Sequence, residues 1–426
     1  MPKAIGIDLG TTNSIVAHLN VTSGAVEVVL NRSYERSTRS VVGLHKKTGA
    51  ILVGSQAVDH AARNPENTIF SVRRLIGRSY DDPNVREVQR RYAYRIVKAP
   101  DGDDVRVMLG EQMLTPTEVS AIILRGLKED AELRLNEEVT HAVITVPAYF
   151  SVNQRLATRT AGELAGLRVM HILDEPVAAA VAYGVGRYAE PPASNLVYYF
   201  CGDAFDVSIL FVIQDSFNLL ATEGDMWLGG DDFDYAIMDY VLREVRKEHG
   251  IDLSPDQRLM YMLRKEAERA KIRLGEMLST AVVLDSAVPV ADGTREDIEV
   301  ELTRSDFENL PISEQPIRVS GVEEALLRRW CSDLELEGCE FSDRQVRLGP
   351  DTVQNRIKKT ILLCRKAMLE AEVTKDDIDH VLLVGRSTYI PLVQRMLEEE
   401  FGHEKIMRDV DPVQCVAEGA AIVATR

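Results

Sequence analysis

Residues Ile5–Ser14 read IGIDLGTTNS, and residues Leu196–Ser208 read LVYYFCGDAFDVS. The first is an apolar run closed by Asp8 and by a small-residue turn suited to holding phosphate. The second has the frame of another such hairpin, but the acidic, glycine-rich turn has been overwritten by Cys201, Gly202, Asp203 and Ala204. A fold that closes two phosphate loops around one nucleotide needs both. The pair therefore predicts a chain that keeps the binding scaffold and loses part of its hydrolytic equipment.

Around these hairpins the chain runs to 426 residues, too long for one core, which predicts two or more domains. Hydrophobic residues make up 45% and charged residues 27%, a globular balance that argues against disorder. The net charge of −17 argues against nucleic acid as a partner, because such affinity comes mainly from Lys and Arg neutralising phosphates. The five cysteines (Cys201, Cys331, Cys339, Cys364, Cys415) include no CxxC pair, which fits reduced thiols in a cytoplasm. The N-terminus runs straight into a strand without a secretion signal, and no apolar run of 18 residues is present to span a membrane. The eight histidines are scattered, with no close pair at metal-ligand spacing.

Apolar runs and helical patterns alternate in the manner of an α/β protein. Ala4–Leu9 and Ala142–Val146 read as buried strands. A helix between them starts at Thr115, Pro116 and Glu118, a capping box with proline at the first helical position. A second helix is expected from Ser254, Pro255 and Gln257, with Leu259, Leu263, Ala267, Ala270, Leu274 and Leu278 on its apolar face. The polar stretch Gly186–Asn195 reads as the boundary between halves. Pro311–Pro350, with acidic clusters and one helical segment at Val322–Trp330, reads as an insertion.

In the first hairpin, Gly10 allows close backbone approach to a phosphate, and Thr11 and Thr12 supply donors. Asp8, at the strand end, can hold hydrated magnesium through water. Taken alone, the same residues are equally a plain turn. Glu175 in LDEPVAAA follows an apolar strand and can orient a water towards a γ-phosphate. It is equally an acidic helix start, a role Asp174 fills as well. Gly229-Gly230 offers another close approach, or simply a loop.

Eight motifs then occur in order: IGIDLGTTNS, NTIFSVRRLIGR, ITVPAYFSVNQR, DEPVAAAVAYG, LGGDDFD, EAERAKIRL, LLVGRSTYIP and DPVQCVAEGAA. Together they resemble the nucleotide-binding domain of the DnaK-type heat-shock chaperone family, from Ala4 to the C-terminus apart from the insertion. The resemblance implies an α/β, two-lobed actin-like ATPase fold of duplicated ribonuclease-H-like domains. It implies lobe I at 1–188, lobe II at 189–410, and a C-terminal helix at 411–426 returning to lobe I, with no substrate-binding domain in this chain. It implies ATP or ADP with Mg2+ near Asp8, Gly10, Thr11, Thr12, Asn13, Glu175, Gly202, Asp206, Gly229 and Gly230. Glu268 and Lys271 would lie along the adenosine, and Gly385, Arg386, Ser387 and Tyr389 would shape the adenine pocket. Pro147 and Arg155 stand at the family's switch proline and arginine relay.

Several positions depart from the family. Arg73 stands where the family has a lysine, and a planar guanidinium fork does not replace a compact ammonium at a phosphate. Tyr199 removes a magnesium-side carboxylate, and Ala204 removes a hydroxyl. Asp203 adds a negative charge, and one like-charge pair at ~4 Å costs roughly 4 kcal/mol at an effective dielectric of about 20. Arg386 replaces a glycine, Tyr389 an arginine, and Met226-Trp227 a small polar residue and a histidine. The expectation is a nucleotide-binding regulator that hydrolyses weakly or not at all, with weakened magnesium dependence. A working ATPase chaperone is the alternative, and a sugar-kinase or filament role fits worst because no sugar-facing acid is identifiable. A protein partner or a second copy of the chain is expected on the insertion, through Leu326, Leu327, Trp330 and Phe341.

Overall fold

The computed structural model describes residues 3–20, 22–61, 63–184, 192–214, 216–289, 295–313 and 317–425. The boundary expected at Gly186–Asn195 therefore lies outside the described residues as far as residue 191, and so does Pro316. The chain forms two compact units, one of Met1–Pro192, Val212–Phe217 and Asp409–Arg426, the other of Ala193–Phe211 and Asn218–Arg408.

In the first unit a sheet orders its strands Arg168–Asp174, Val139–Val146, Lys3–Asp8, Asn13–Leu19 and Val26–Val28. Lys3–Asp8 pairs in parallel with Val139–Val146 and antiparallel with Asn13–Leu19. Ile5, Ile7, Val143 and Ile144 are fully buried, so the central strands read as continuous apolar runs, as parallel strands covered on both faces do. Helix Cys415–Val423 packs on this sheet. A Cβ on Gly6 would overlap the backbone of Ala420 and Ala421, and one on Gly419 would overlap the Ala178 carbonyl.

The second unit repeats the pattern. Its sheet runs Ser216–Asp225, Phe205–Ile213, Ala193–Phe200, His380–Val384 and Ile406–Met407. Ala193–Phe200 pairs in parallel with His380–Val384, which pairs in parallel with Ile406–Met407. Each sheet is thus a hairpin flanked by two parallel strands in the same spatial order. Below the second hairpin, Tyr198, Phe200, Phe205 and Phe233 form a chain of edge-on and tilted rings with centroids 4.9–6.1 Å apart.

Helix starts follow local chemistry. The Thr115–Glu118 capping box is present at the head of Pro116–Leu135. The second expected start is displaced: Asp256, not Ser254, caps Gln257–Glu276 by accepting from the Arg258 and Leu259 amides. Ser254 instead donates its hydroxyl to Asp252. Leu278 leaves the expected apolar face because the helix ends at Glu276, and it is 75% exposed.

The excursion beginning at Pro311 has a closed base, with Pro311–Ser313 pairing antiparallel with Asp351–Thr352. Its helix is Glu324–Asp333, and it adds a three-stranded sheet of Arg318–Ser320, Gln345–Arg347 and Glu340–Ser342. Of the four residues expected to anchor a partner, Leu326, Trp330 and Phe341 stay partly exposed and Leu327 does not. Leu327 is fully buried in a small core that includes Leu362 of helix Val353–Glu370, and Leu326, Trp330 and Phe341 pack against that core. Phe341 is further covered by the Arg328 guanidinium.

Candidate functional site

The first hairpin turns between Asp8 and Asn13. A Cβ on Gly10 would overlap the Asn13 carbonyl, so the turn itself requires glycine before any ligand is considered. Asp8 is buried at the strand end and accepts from the Thr145 hydroxyl at 3.3 Å. Thr11 is buried beside it, and Thr12 is half-buried.

Glu175 opens helix Glu175–Ala182 and is 1% exposed. Its carboxylate pairs at 2.8 Å with Arg73, which also donates to the Leu9 carbonyl and lies over the Phe150 ring. Arg73 is thus a bridge between the helix start and the hairpin turn. The neighbouring Asp174 makes no capping hydrogen bond; it pairs with Arg155 at 2.6 Å. Arg155 in turn donates to the Ala148 and Phe150 carbonyls, just after Pro147. Burial raises the Asp174 carboxyl above its ordinary pKa, and the Arg155 guanidinium opposes that rise. Two consecutive acids therefore tie two different loops through two arginines. Thr145 and Phe150 were the contributors that sequence reading passed over. Both lie in the quoted motif ITVPAYFSVNQR, where a threonine two residues before a proline was the available signal.

In the second unit the overwritten turn is docked into its own surroundings. The Cys201 amide donates to the Ala204 carbonyl at 3.0 Å. The Cys201 carbonyl accepts from the Gly230 amide at 3.0 Å and from the Ser387 hydroxyl at 2.9 Å. The Gly202 carbonyl accepts from the Asp231 amide at 2.6 Å. Gly230 and Asp231 begin helix Gly230–His249, whose first-turn amides are the groups that would otherwise face an anion. Gly229 serves the same closure, since a Cβ there would overlap Gly202 and Asp203. Gly385, at φ +90°, passes so close to Phe200 and Cys201 that no side chain fits.

Lys271 is held by Asp234 at 2.7 Å and by the Gly230 carbonyl at 2.7 Å. Burial pushes the Asp234 carboxyl up to about 7, while Lys271 pulls it down. Asp234 was missed from sequence, although it is the last acid of the quoted LGGDDFD. Glu268 sits one turn before Lys271 on the same helix and is half-buried. Ser387 and Gly385 are buried, whereas Arg386 is exposed and Tyr389 is 52% exposed. Asp206 lies against Gly224, where a Cβ would strike its carboxylate. Tyr199 is buried at the end of its strand. Met226 and Trp227 follow Asp225, which accepts from the Trp227 amide and from Lys359.

Each unit thus gathers its own share of the expected residues. Asp8, Gly10, Thr11, Thr12, Asn13, Arg73, Pro147, Arg155 and Glu175 belong to the first unit, and the remaining residues belong to the second. Among the described residues no cluster of three or more His, Cys, Asp or Glu side chains is arranged to hold a metal ion. No described helix is long and apolar enough to cross a membrane.

A family model described as Hsp70 protein matches residues 4–325 and 350–425, leaving 326–349 unmatched. Two relatives named Chaperone protein DnaK, from two strains of Thermus thermophilus, are each 41% identical over 426 residues. The match covers 100% of this chain and 61% of each relative, so the chain spans about three fifths of their length.

Proposed function

The chain belongs to the Hsp70 family, and on that premise we propose that it binds ATP or ADP but hydrolyses ATP weakly or not at all, serving as a regulatory or interaction module. Its fold is the two-lobed, actin-like α/β fold of that family's ATPase domain, a duplicated ribonuclease-H-like architecture. Lobe I at 1–188, lobe II at 189–410 and a returning helix at 411–426 are the proposed division.

The observation that carries the reading is the contrast between the two turns. The first turn presents Thr11, Thr12 and Asn13 next to a buried Asp8. The second directs the Cys201 and Gly202 carbonyls onto the Gly230 and Asp231 amides, donors that a phosphate would need. A carbonyl oxygen and a phosphate oxygen compete for the same N–H.

The residues fit a nucleotide in part. Gly10, Thr11, Thr12 and Asn13 would hold phosphate. In the second unit, Glu268, Lys271, Gly385, Arg386, Ser387 and Tyr389 would line the base and ribose, and Gly202, Gly229, Gly230 and Asp206 would contact phosphate. Asp8 is the one carboxylate proposed for magnesium, which keeps several waters and takes one or two protein carboxylates. A bound magnesium ion would neutralise phosphate charge; with Tyr199 in place of an acid, dependence on it should be weak. Glu175 is the proposed water-orienting group, but its partner Arg73 already spans Glu175 and the Leu9 carbonyl. A guanidinium committed to two protein oxygens has fewer donors left for a γ-phosphate.

A second reading, an ATP-hydrolysing chaperone assisting protein folding, is favoured by the retention of Asp8 and Glu175. Cytoplasmic placement and a protein or self-association contact through 311–350 belong to the first reading. With Leu327 buried, that contact would use the partly exposed Leu326, Trp330 and Phe341 and exposed acids such as Glu323, Glu337 and Asp343. Isothermal titration with ATP and ADP, with and without magnesium, tests the binding claim. Heat of binding with little change on adding magnesium is expected; no heat and no thermal shift with either nucleotide would refute it.

A further inference from the structure

The segment between residues 325 and 350, which the Hsp70 family model leaves unmatched, contains two of the five cysteines. Cys331 lies near the end of helix Glu324–Asp333, and Cys339 immediately precedes strand Glu340–Ser342. The chain between them folds back on itself: the Leu336 amide donates to the Cys331 carbonyl at 2.9 Å, and the Cys339 thiol donates to the Leu336 carbonyl at 3.5 Å. Both sulfurs join the same small core, Cys331 fully inside it and Cys339 packed at its edge. Cys331 and Cys339 thus stand on the two arms of one reversal and pack on one small core. Gly338, at φ +65°, makes the reversal, and Gly349 lets the Glu337 carbonyl pass close by because it has no side chain.

We propose that Cys331 and Cys339 form a reversible oxidation site that closes to a disulfide when the protein meets a peroxide. The two sulfurs divide the work by exposure. Burial and the neighbouring Cys339 push the Cys331 thiol up to about 12, so Cys331 is a poor first nucleophile. Cys339 is half-buried and reacts first. Its thiolate attacks one peroxide oxygen, the O–O bond breaks, and a sulfenic acid forms while hydroxide leaves. The Cys331 sulfur then attacks the Cys339 sulfur, the S–O bond breaks, and water leaves with the Cys331 proton. Two thiols and one peroxide thus give one disulfide and two waters, and a dithiol reductant reverses the reaction.

The loop being closed is already tied to helix Val353–Glu370. Asp333 pairs with Arg365 at 3.2 Å, and Lys358 donates to the Glu335 carbonyl at 3.1 Å. Closing the disulfide therefore fixes this loop against that helix.

The test uses the whole chain. Trypsin cuts after Arg329 and Arg344, so both cysteines fall in one peptide, Trp330–Arg344. After mild hydrogen peroxide, denaturation and iodoacetamide, this peptide should carry no alkyl group and be lighter by two hydrogens. Dithiothreitol should restore both alkylation sites, and Cys364 and Cys415, buried elsewhere, should alkylate throughout. In Cys331→Ala the sulfenic acid has no resolving thiol, so dimedone should label Cys339. In Cys339→Ser the buried Cys331 should stay reduced at the same peroxide dose. Full alkylation of both sulfurs after oxidation, or separate sulfinic acids in the unsubstituted chain, would overturn the proposal.

Discussion

The two hairpins share a topology and differ in what their turns face. At Gly10 the glycine is needed by the turn alone, and the neighbouring hydroxyls and Asp8 remain grouped at the strand end. At Cys201–Ala204 the turn carbonyls are consumed by Gly230, Asp231 and Ser387 of the same unit. Sheet order is therefore insensitive to turn chemistry. A duplicated fold can keep one strand order in both halves while its two turns make different hydrogen bonds.

The largest expected effect comes from breaking the buried pair beside the first turn. Glu175→Ala leaves the Arg73 guanidinium buried without its carboxylate, a loss of about 3–5 kcal/mol in denaturant unfolding. Arg73→Ala should cost a similar amount, and the double substitution should cost less than the sum of the two.

Glycine substitutions then set the two turns side by side. Gly10→Ala and Gly229→Ala each force a side chain into backbone and should each cost roughly 1–3 kcal/mol. The readout that separates them is nucleotide titration. Gly10→Ala should abolish binding, whereas Gly229→Ala should weaken it far less, and equal losses would contradict the asymmetry.

A smaller effect is expected at Ser387, whose hydroxyl donates to the Cys201 carbonyl. Ser387→Ala should lower stability by about 1 kcal/mol, seen as a lower unfolding midpoint at unchanged slope.

The mildest test is a pH dependence in the second unit. Burial holds the Asp234 proton up to about 7, against an ordinary value of 3.8, despite Lys271 beside it. The folded chain keeps this proton where the unfolded chain has lost it. Its contribution to stability is thus full below the ordinary value and is lost as pH rises through about 7. Asp234→Asn should flatten that part of the stability profile; an unchanged slope would assign it to other groups.

Much of the architecture was legible because strand burial and helix capping are local signals. The Thr115 capping box and the apolar runs of both hairpins needed no tertiary information. Asp256 displaced Ser254 as a cap because both residues suit that role, and which one engages depends on where the preceding loop enters. The insertion was legible as an excursion with one helix, since prolines mark its ends, but the three-stranded sheet it adds was not. Its Leu327 and Trp330 can be read as anchors or as core, and the packing on Leu362 puts Leu327 inside the core and Trp330 at its edge. At the site, residue identities flagged Arg73, Asp203 and Ala204 as unusual. The consumption of the Gly230 and Asp231 amides was invisible, because it is made by main-chain carbonyls that carry no sequence signature.

The central claim is that the second turn and Arg73 limit hydrolysis while the first turn still binds. Single-turnover hydrolysis of ATP, on protein cleared of contaminating ATPases, tests it most directly. The chain as it stands is compared with a version carrying Arg73→Lys, Tyr199→Asp, Asp203→Gly and Ala204→Thr together. The account predicts a very slow rate for the unaltered chain and an increase of at least ~10² in the fourfold variant, with each single substitution doing little. Equal rates in the two proteins, with the unaltered chain turning over at the speed of the reverted one, would contradict it.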